Sequence, residues 1–293
     1  MSLTDIEGFR VGHATDHEAM TGCTVILPPA DNVTAVEVRG AAPGTRDLAL
    51  LGPGMTVRSV DAILLSGGSA YGLAAADGVM TELEKQGVGH IVPNGVVPIV
   101  PGAVIYDLMV GDPKVRPDAE MGRTALLSAD GGPIQTGRVG VGAGATVGKW
   151  RGELIPSGLG GATVRVGDAI VAALAVTNAV GDVFTLEGEA LTGGDIVPDP
   201  IDSAGDALAN TTLVVVATNG TITREDLSRV LVRAHDALAV TIRPAHTGSD
   251  GDTIFAVCTG QTEADHEIVA SAAFVAVGRA IEDSVRSAPA DNG

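Results

Sequence analysis

Apolar residues recur at spacings of three and four in four stretches of the chain. Ser69–Gln86 carries Leu73, Ala76, Met80 and Leu83 on one face, and Gly87 follows where a helix would stop. Ala119–Ala129 is a shorter helical stretch. Thr223 stands at an N-cap position, with Asp226 three residues on. It opens a helix that lines up Leu227, Val230, Leu231, Ala234 and Leu238. Glu263–Val285 is the fourth, with Ile268, Val269, Ala272, Ala273 and Val277. Between them, β-branched runs bounded by Gly, Asn and Asp predict strands at Cys23–Leu27, Asn32–Val38, Ala62–Leu65, Val164–Thr177 and Leu213–Ala217. Several of these are apolar at nearly every position, as expected of a sheet covered on both faces. Strands and helices do not alternate strictly, which predicts an α+β fold rather than a doubly wound sheet. Glu187–Asn210 is rich in Gly, Pro and Asp and has no period, so it reads as a surface loop within one domain and a place where the chain could be processed.

Composition narrows the core and the partners. Of 293 residues 45% are apolar, yet only seven are aromatic, so the interior must be built from Ala, Val, Leu and Ile. With 36 acids against 18 bases the net charge is −18, which speaks against nucleic acid or an anionic membrane as partner. Cys23 and Cys258 form neither a disulfide framework nor a CxxC site. The N-terminus MSLTDIEGFRVGH lacks the basic and apolar regions of a secretory signal, and runs such as Ala169–Val176 are far short of a membrane span. The expectation is a soluble, cytoplasmic protein.

Several motifs suggest chemistry but fail on context. Gly140, Gly142 and Ala145 satisfy G-x-G-x-x-A, with Asp168 downstream, but the residues that follow do not read as the helix a dinucleotide site needs. Ser66-Gly67-Gly68-Ser69 misses the nucleophile-elbow spacing and suits close backbone approach at a helix start. His13, Asp16 and His17 have no third metal ligand in view. Asp250-Gly251-Asp252 opens like a calcium loop, yet Gln261 stands where the bidentate Glu belongs. Neither a cofactor nor a metal is expected. In an extended segment, Asp250 and Asp252 would instead share one face.

Three positions keep two readings open. Lys149, one of three lysines, follows a run of small residues: it is a surface lysine, or one held near a reacting centre by close glycine backbone. Asn178 is a strand-end turn residue or an amide aimed at an oxyanion. Asn210-Thr211 is a plain loop-to-strand boundary or a processing site. If the bond before Thr211 is cut, its new α-amino group, with a pKa near 8, can serve as the base for its own hydroxyl.

Together these stretches resemble a known family. VDAILLSGGSAYGLAAADGV, VPIVPGAVIYDL, GRVGVGAGATVGKW, AALAVTNAVGDV, the Asn210-Thr211 junction and PAHTGSDGDTIFAVCTG follow the order and approximate spacing seen in the DmpA-type aminopeptidases. That group includes β-peptidyl aminopeptidases and 6-aminohexanoate-oligomer (nylon-oligomer) hydrolases. The likeness runs from about Gly12 to about Gly260. It implies an αββα four-layer sandwich of the N-terminal-nucleophile-hydrolase type. It also implies self-cleavage of residues 1–293 into a large fragment, 1–210, and a small one, 211–293, with Thr211 as the nucleophile. Threonine preceded by asparagine is similar to the nylon-oligomer hydrolases. Where the blocks match, the resemblance places Tyr106, Lys149 and Asn178 around Thr211 and makes Asp250 and Asp252 a carboxylate relay. Asn178, with a backbone N–H, would stabilise the oxyanion. The implied substrate is a short peptide or amide oligomer, and the implied assembly a tetramer of processed pairs. An ornithine-acetyltransferase-like acyl transfer and an uncleaved binding protein of the same fold are the alternatives.

Overall fold

A computed structural model describes residues 2–199 and 210–288. Two five-stranded sheets face each other. The first, in spatial order, holds β1 (Arg10–Asp16), β2 (Thr21–Leu27), β5 (Ile63–Ser66), β6 (Gly102–Val104) and β4 (Thr45–Arg46). The second holds β7 (Leu159–Val166), β8 (Ala169–Asn178), β9 (Thr211–Thr221), β10 (Thr253–Glu263) and β3 (Val33–Val38). Each sheet is antiparallel except for one parallel pair, β5 with β6 and β9 with β10. Helices α1 (Ala75–Lys85) and α2 (Ala119–Leu127) cover the outer face of the first sheet. Helices α3 (Arg224–Thr241) and α4 (His266–Arg286) cover the second. The α+β reading and the four-layer αββα arrangement therefore hold.

Three apolar layers separate the four structural ones, and the period of two along each strand sorts side chains between them. On β9, Leu213, Val215 and Ala217 enter the layer between the sheets, whereas Val214 and Val216 meet α3 and α4. On β8, Leu174 and Val176 face the other sheet, and Ala173 and Ala175 the helices. Burial on both faces is why these strands are continuously apolar. With so few aromatics the layers must approach closely. Glycines on the facing helices allow it: a Cβ on Gly78 would stand 1.7 Å from the Ala119 carbonyl oxygen, and one on Gly122 1.9 Å from that of Ala75.

Helix signals translate well. Thr223 Oγ1 accepts from the Asp226 amide at 3.1 Å and caps α3, as its position predicts. The stretch Ser69–Gln86 divides, however: Ser69–Ala74 is a 3-10 helix and only Ala75–Lys85 is α-helical. The Val164–Thr177 run is not one strand but parts of two. The β7–β8 hairpin turns at Gly167 (φ 60°) and Asp168, a turn hidden by apolar residues on both sides. Gly140–Gly142 is a short 3-10 turn leading into the strand pair Thr146–Val147, not a helix. His13 and Asp16 lie in β1 rather than in a loop, and the His13 ring meets Thr24 Oγ1 at 2.9 Å. Of the Glu187–Asn210 loop, residues 200–209 lie outside the described residues. The preceding part carries no helix or strand of its own, and Phe184 bridges Ala190.

Candidate active site

The site gathers at one end of the second sheet, where register aligns the ends of three strands. Thr211, the first residue of β9, stands opposite Asn178, the last of β8. On the other side β9 runs parallel to β10, Leu213 beside Thr253, and the pairing extends backward as a bridge between Asn210 and Asp250. The segments Asn210-Thr211-Thr212 and Asp250-Gly251-Asp252 thus lie side by side. By its place in the alternation, Thr211 shares the inter-sheet face of Leu213, while Thr212 faces the helices.

The Thr211 hydroxyl donates to the carbonyl oxygen of Asn210, the peptide unit immediately before it. The same oxygen accepts from the Gly251 amide at 2.9 Å. Residue 251 has to be glycine: a Cβ there would sit 2.7 Å from Thr211 Oγ1 and 2.9 Å from the Ala42 carbonyl oxygen. The residues after β3 support this corner, since Ala42 N donates to Asp250 O at 2.8 Å and Arg39 N to Asp252 O at 3.0 Å.

Asn178 is held from three directions. Its Oδ1 accepts from Thr146 N at 3.1 Å and from Lys149 Nζ at 3.0 Å, and its Nδ2 donates to the Tyr106 carbonyl at 3.0 Å. Tyr106 therefore meets Asn178 through its backbone. Lys149 Nζ also donates to the carbonyls of Thr146 (2.7 Å), Asn178 (3.1 Å) and Ala179 (3.3 Å). Lys149 opens a 3-10 turn fixed to the end of β8 by Gly148 N on Gly181 O and Trp150 N on Val180 O. Burial pushes the Lys149 ammonium down to about 7, with Asp250 pulling the other way. The oxygens around Nζ favour the charged form.

The two aspartates are buried and differently held. Asp250 Oδ2 accepts from Thr247 N (2.9 Å) and Thr247 Oγ1 (2.7 Å), and Oδ1 from Val180 N (3.4 Å). Burial, and then the neighbouring charge of Asp252, raise Asp250 to about 6. Asp252 Oδ1 accepts from Thr212 N at 2.7 Å, and Oδ2 from the backbone and ring of His246. Asp250 and Asp252 are thus both engaged beside the start of β9, one on each side of Gly251. All seven residues singled out from the sequence converge here. Gly251, Thr146, Thr247 and His246 join them; all four lie within stretches quoted for the resemblance, but none was given a role there. No group of three or more His, Cys, Asp or Glu able to hold a metal ion occurs among the described residues.

A threonine at the start of a central strand, facing the space between two helix-covered sheets beside a lysine and buried carboxylates, defines a peptide or amide hydrolase of the Ntn-hydrolase fold. Solved structures agree. The β-aminopeptidase of Burkholderia sp. superposes with TM-score 0.76 at 21% identity, covering 98% of this chain and 86% of that one. The L-aminopeptidase D-Ala-esterase/amidase of Ochrobactrum anthropi, described as a variant of the Ntn hydrolase fold, gives 0.78 at 19%, with coverage of 98% and 86%. The chain belongs to peptidase family S58, whose sequence profile matches residues 1–291. Among relatives, a Mycobacterium leprae protein named as an uncharacterized aminopeptidase is 45% identical, over 90% of this chain and 80% of that protein. The 6-aminohexanoate-oligomer endohydrolase of Paenarthrobacter ureafaciens is 34% identical, over 88% and 75%. Among the described residues no helix is long and apolar enough to cross a membrane.

Proposed function

We propose that the chain is a self-processing N-terminal threonine amide hydrolase acting on short peptides or ω-amino-acid oligomers. The observation that carries this reading is the Thr211 hydroxyl lying on the Asn210 carbonyl, whose oxygen already accepts from Gly251 N–H. In the precursor, Thr211 Oγ attacks the Asn210 carbonyl carbon and its proton passes to Asp250. That carboxylate, raised to about 6, is ionised at neutral pH yet more basic than an ordinary one. Gly251 N–H stabilises the oxyanion, the proton is delivered to the departing Thr211 nitrogen, and an ester remains. Water hydrolyses the ester, leaving a carboxylate on Asn210 and a free α-amine on Thr211.

In turnover that amine takes the Thr211 Oγ proton as the hydroxyl attacks a substrate amide, and returns it to the leaving amine. Water then releases the acyl group. Lys149 supplies a positive field and, with Thr146 N–H, fixes the Asn178 amide beside the nucleophile. Asp252 anchors the Thr212 amide. The relative named as an oligomer endohydrolase supports ω-amino-acid oligomers as substrate. The one named as an aminopeptidase makes amine-terminal peptides the second reading. Assembly into a tetramer of processed pairs belongs to the same proposal.

Rapid quenching during turnover of a 6-aminohexanoate trimer, an α-peptide and a β-peptide tests it. An acyl mass on the small fragment is expected, and an N-blocked oligomer remains a substrate only for an endohydrolase. An acyl group on the large fragment, or turnover by Thr211→Ala, contradicts the proposal.

A further inference from the structure

His246 lies six residues before Asp252 and reaches it twice. Its backbone N donates to Oδ2 at 3.1 Å and its ring Nδ1 to the same oxygen at 2.7 Å. The other carboxylate oxygen holds the amide of Thr212, the residue after the nucleophile. One carboxylate therefore joins an imidazole to the nucleophilic strand. The arrangement is maintained against local cost. His246 has φ 56°, a left-handed conformation uncommon outside glycine. Its Nε2 is buried with no hydrogen-bond partner among the described residues, a condition that polar groups rarely tolerate without a role. Its ring meets that of His235, on α3, edge-on with centroids 5.0 Å apart.

We infer that His246 is the positioning residue of the acid pair: its Nδ1–H holds Asp252 on the Thr212 amide. The inference rests on the Thr211 reading for its catalytic consequence. The groups facing the ring define its electrostatics. His235 stays neutral down to about 4, held there by burial and then by His246, and its Nε2 meets only the Glu37 carbonyl. Arg39, paired with Glu37, adds positive charge to the same cluster. Asp250 lies beyond Asp252.

The test follows self-cleavage of chain made by cell-free synthesis, quenched from pH 5 to 9, in wild type and two variants. His246→Asn keeps a neutral donor and tolerates the left-handed backbone. His246→Gly removes the donor without backbone strain. Expected at pH 8 are cleavage within about threefold of wild type for Asn and at least about tenfold slower for Gly. Gly at the wild-type rate, or Asn as slow as Gly, overturns the inference. A wild type that never cuts would instead overturn the Thr211 reading. The His246–Asp252 link would then be read from the His246 Nδ1–H resonance by NMR in Thr211→Ala: adding Asp252→Asn must shift it, and an unchanged resonance refutes the link.

Discussion

At the scale of the residue, the site is an arrangement of backbone as much as of side chains. The donor on the Asn210 carbonyl is an amide, that of Gly251, and Tyr106 participates through its carbonyl. Gly251→Ala therefore keeps the N–H but forces a Cβ to within 2.7 Å of Thr211 Oγ1. Self-cleavage should fall roughly a hundredfold, as misplacement by about 1 Å typically does, while the fold persists; wild-type cleavage by this variant would remove Gly251 from the account.

Two titrations bracket the first step. On the proposed mechanism Asp250 must be ionised to accept the proton, so the rate should fall as pH drops through about 6. Lys149 must be charged to hold Asn178, so it should fall again as pH rises through about 7. Self-cleavage precedes any free α-amine, so a narrow bell between these limits is expected, and Lys149→Met should lose its alkaline limb. A flat profile from pH 5 to 9 would contradict both assignments.

At the scale of the element, close packing of small residues sets the tolerances. Gly122 on α2 faces the Ala75 carbonyl, and a methyl there cannot fit without separating the two helices. Gly122→Ala should cost about 1–3 kcal/mol, seen as a lowered denaturation midpoint, with cleavage chemistry unchanged because α1 and α2 lie in the outer layer. An unchanged midpoint would mean the helices separate freely.

The same scale shows what sequence could convey. Thr223 and Asp226 announce α3 because a cap is a local interaction. Asp250 and Asp252 suggest a shared face by the period of two of an extended segment, and the structure brings both beside the start of β9. The β7–β8 turn is invisible because Gly167-Asp168 interrupts residues buried on both faces. The roles of Gly251 and His246 were not legible either: each depends on a neighbour brought near by strand pairing or by a reversed loop, and neither leaves a periodic trace.

At the scale of the whole molecule, topology explains how a cut chain can remain one body. In the second sheet a small fragment 211–293 would contribute β9 and β10, flanked by β8 on one side and β3 on the other from residues 1–210. Cleavage before Thr211 breaks one peptide bond but none of the ladders that enclose these strands. Processed fragments should co-elute from a sizing column and part only in denaturant. Separation on simple dilution would contradict that picture.

The central claim, that Thr211 becomes an N-terminal nucleophile, is tested most directly by the intact mass of freshly made protein in denaturing solvent, followed over days. The account predicts fragments of about 21 and about 8 kDa, the smaller beginning at Thr211, and a single uncut species for Thr211→Ala. A wild-type chain that stays whole at 29.3 kDa, or a Thr211→Ala chain that divides normally, would contradict it.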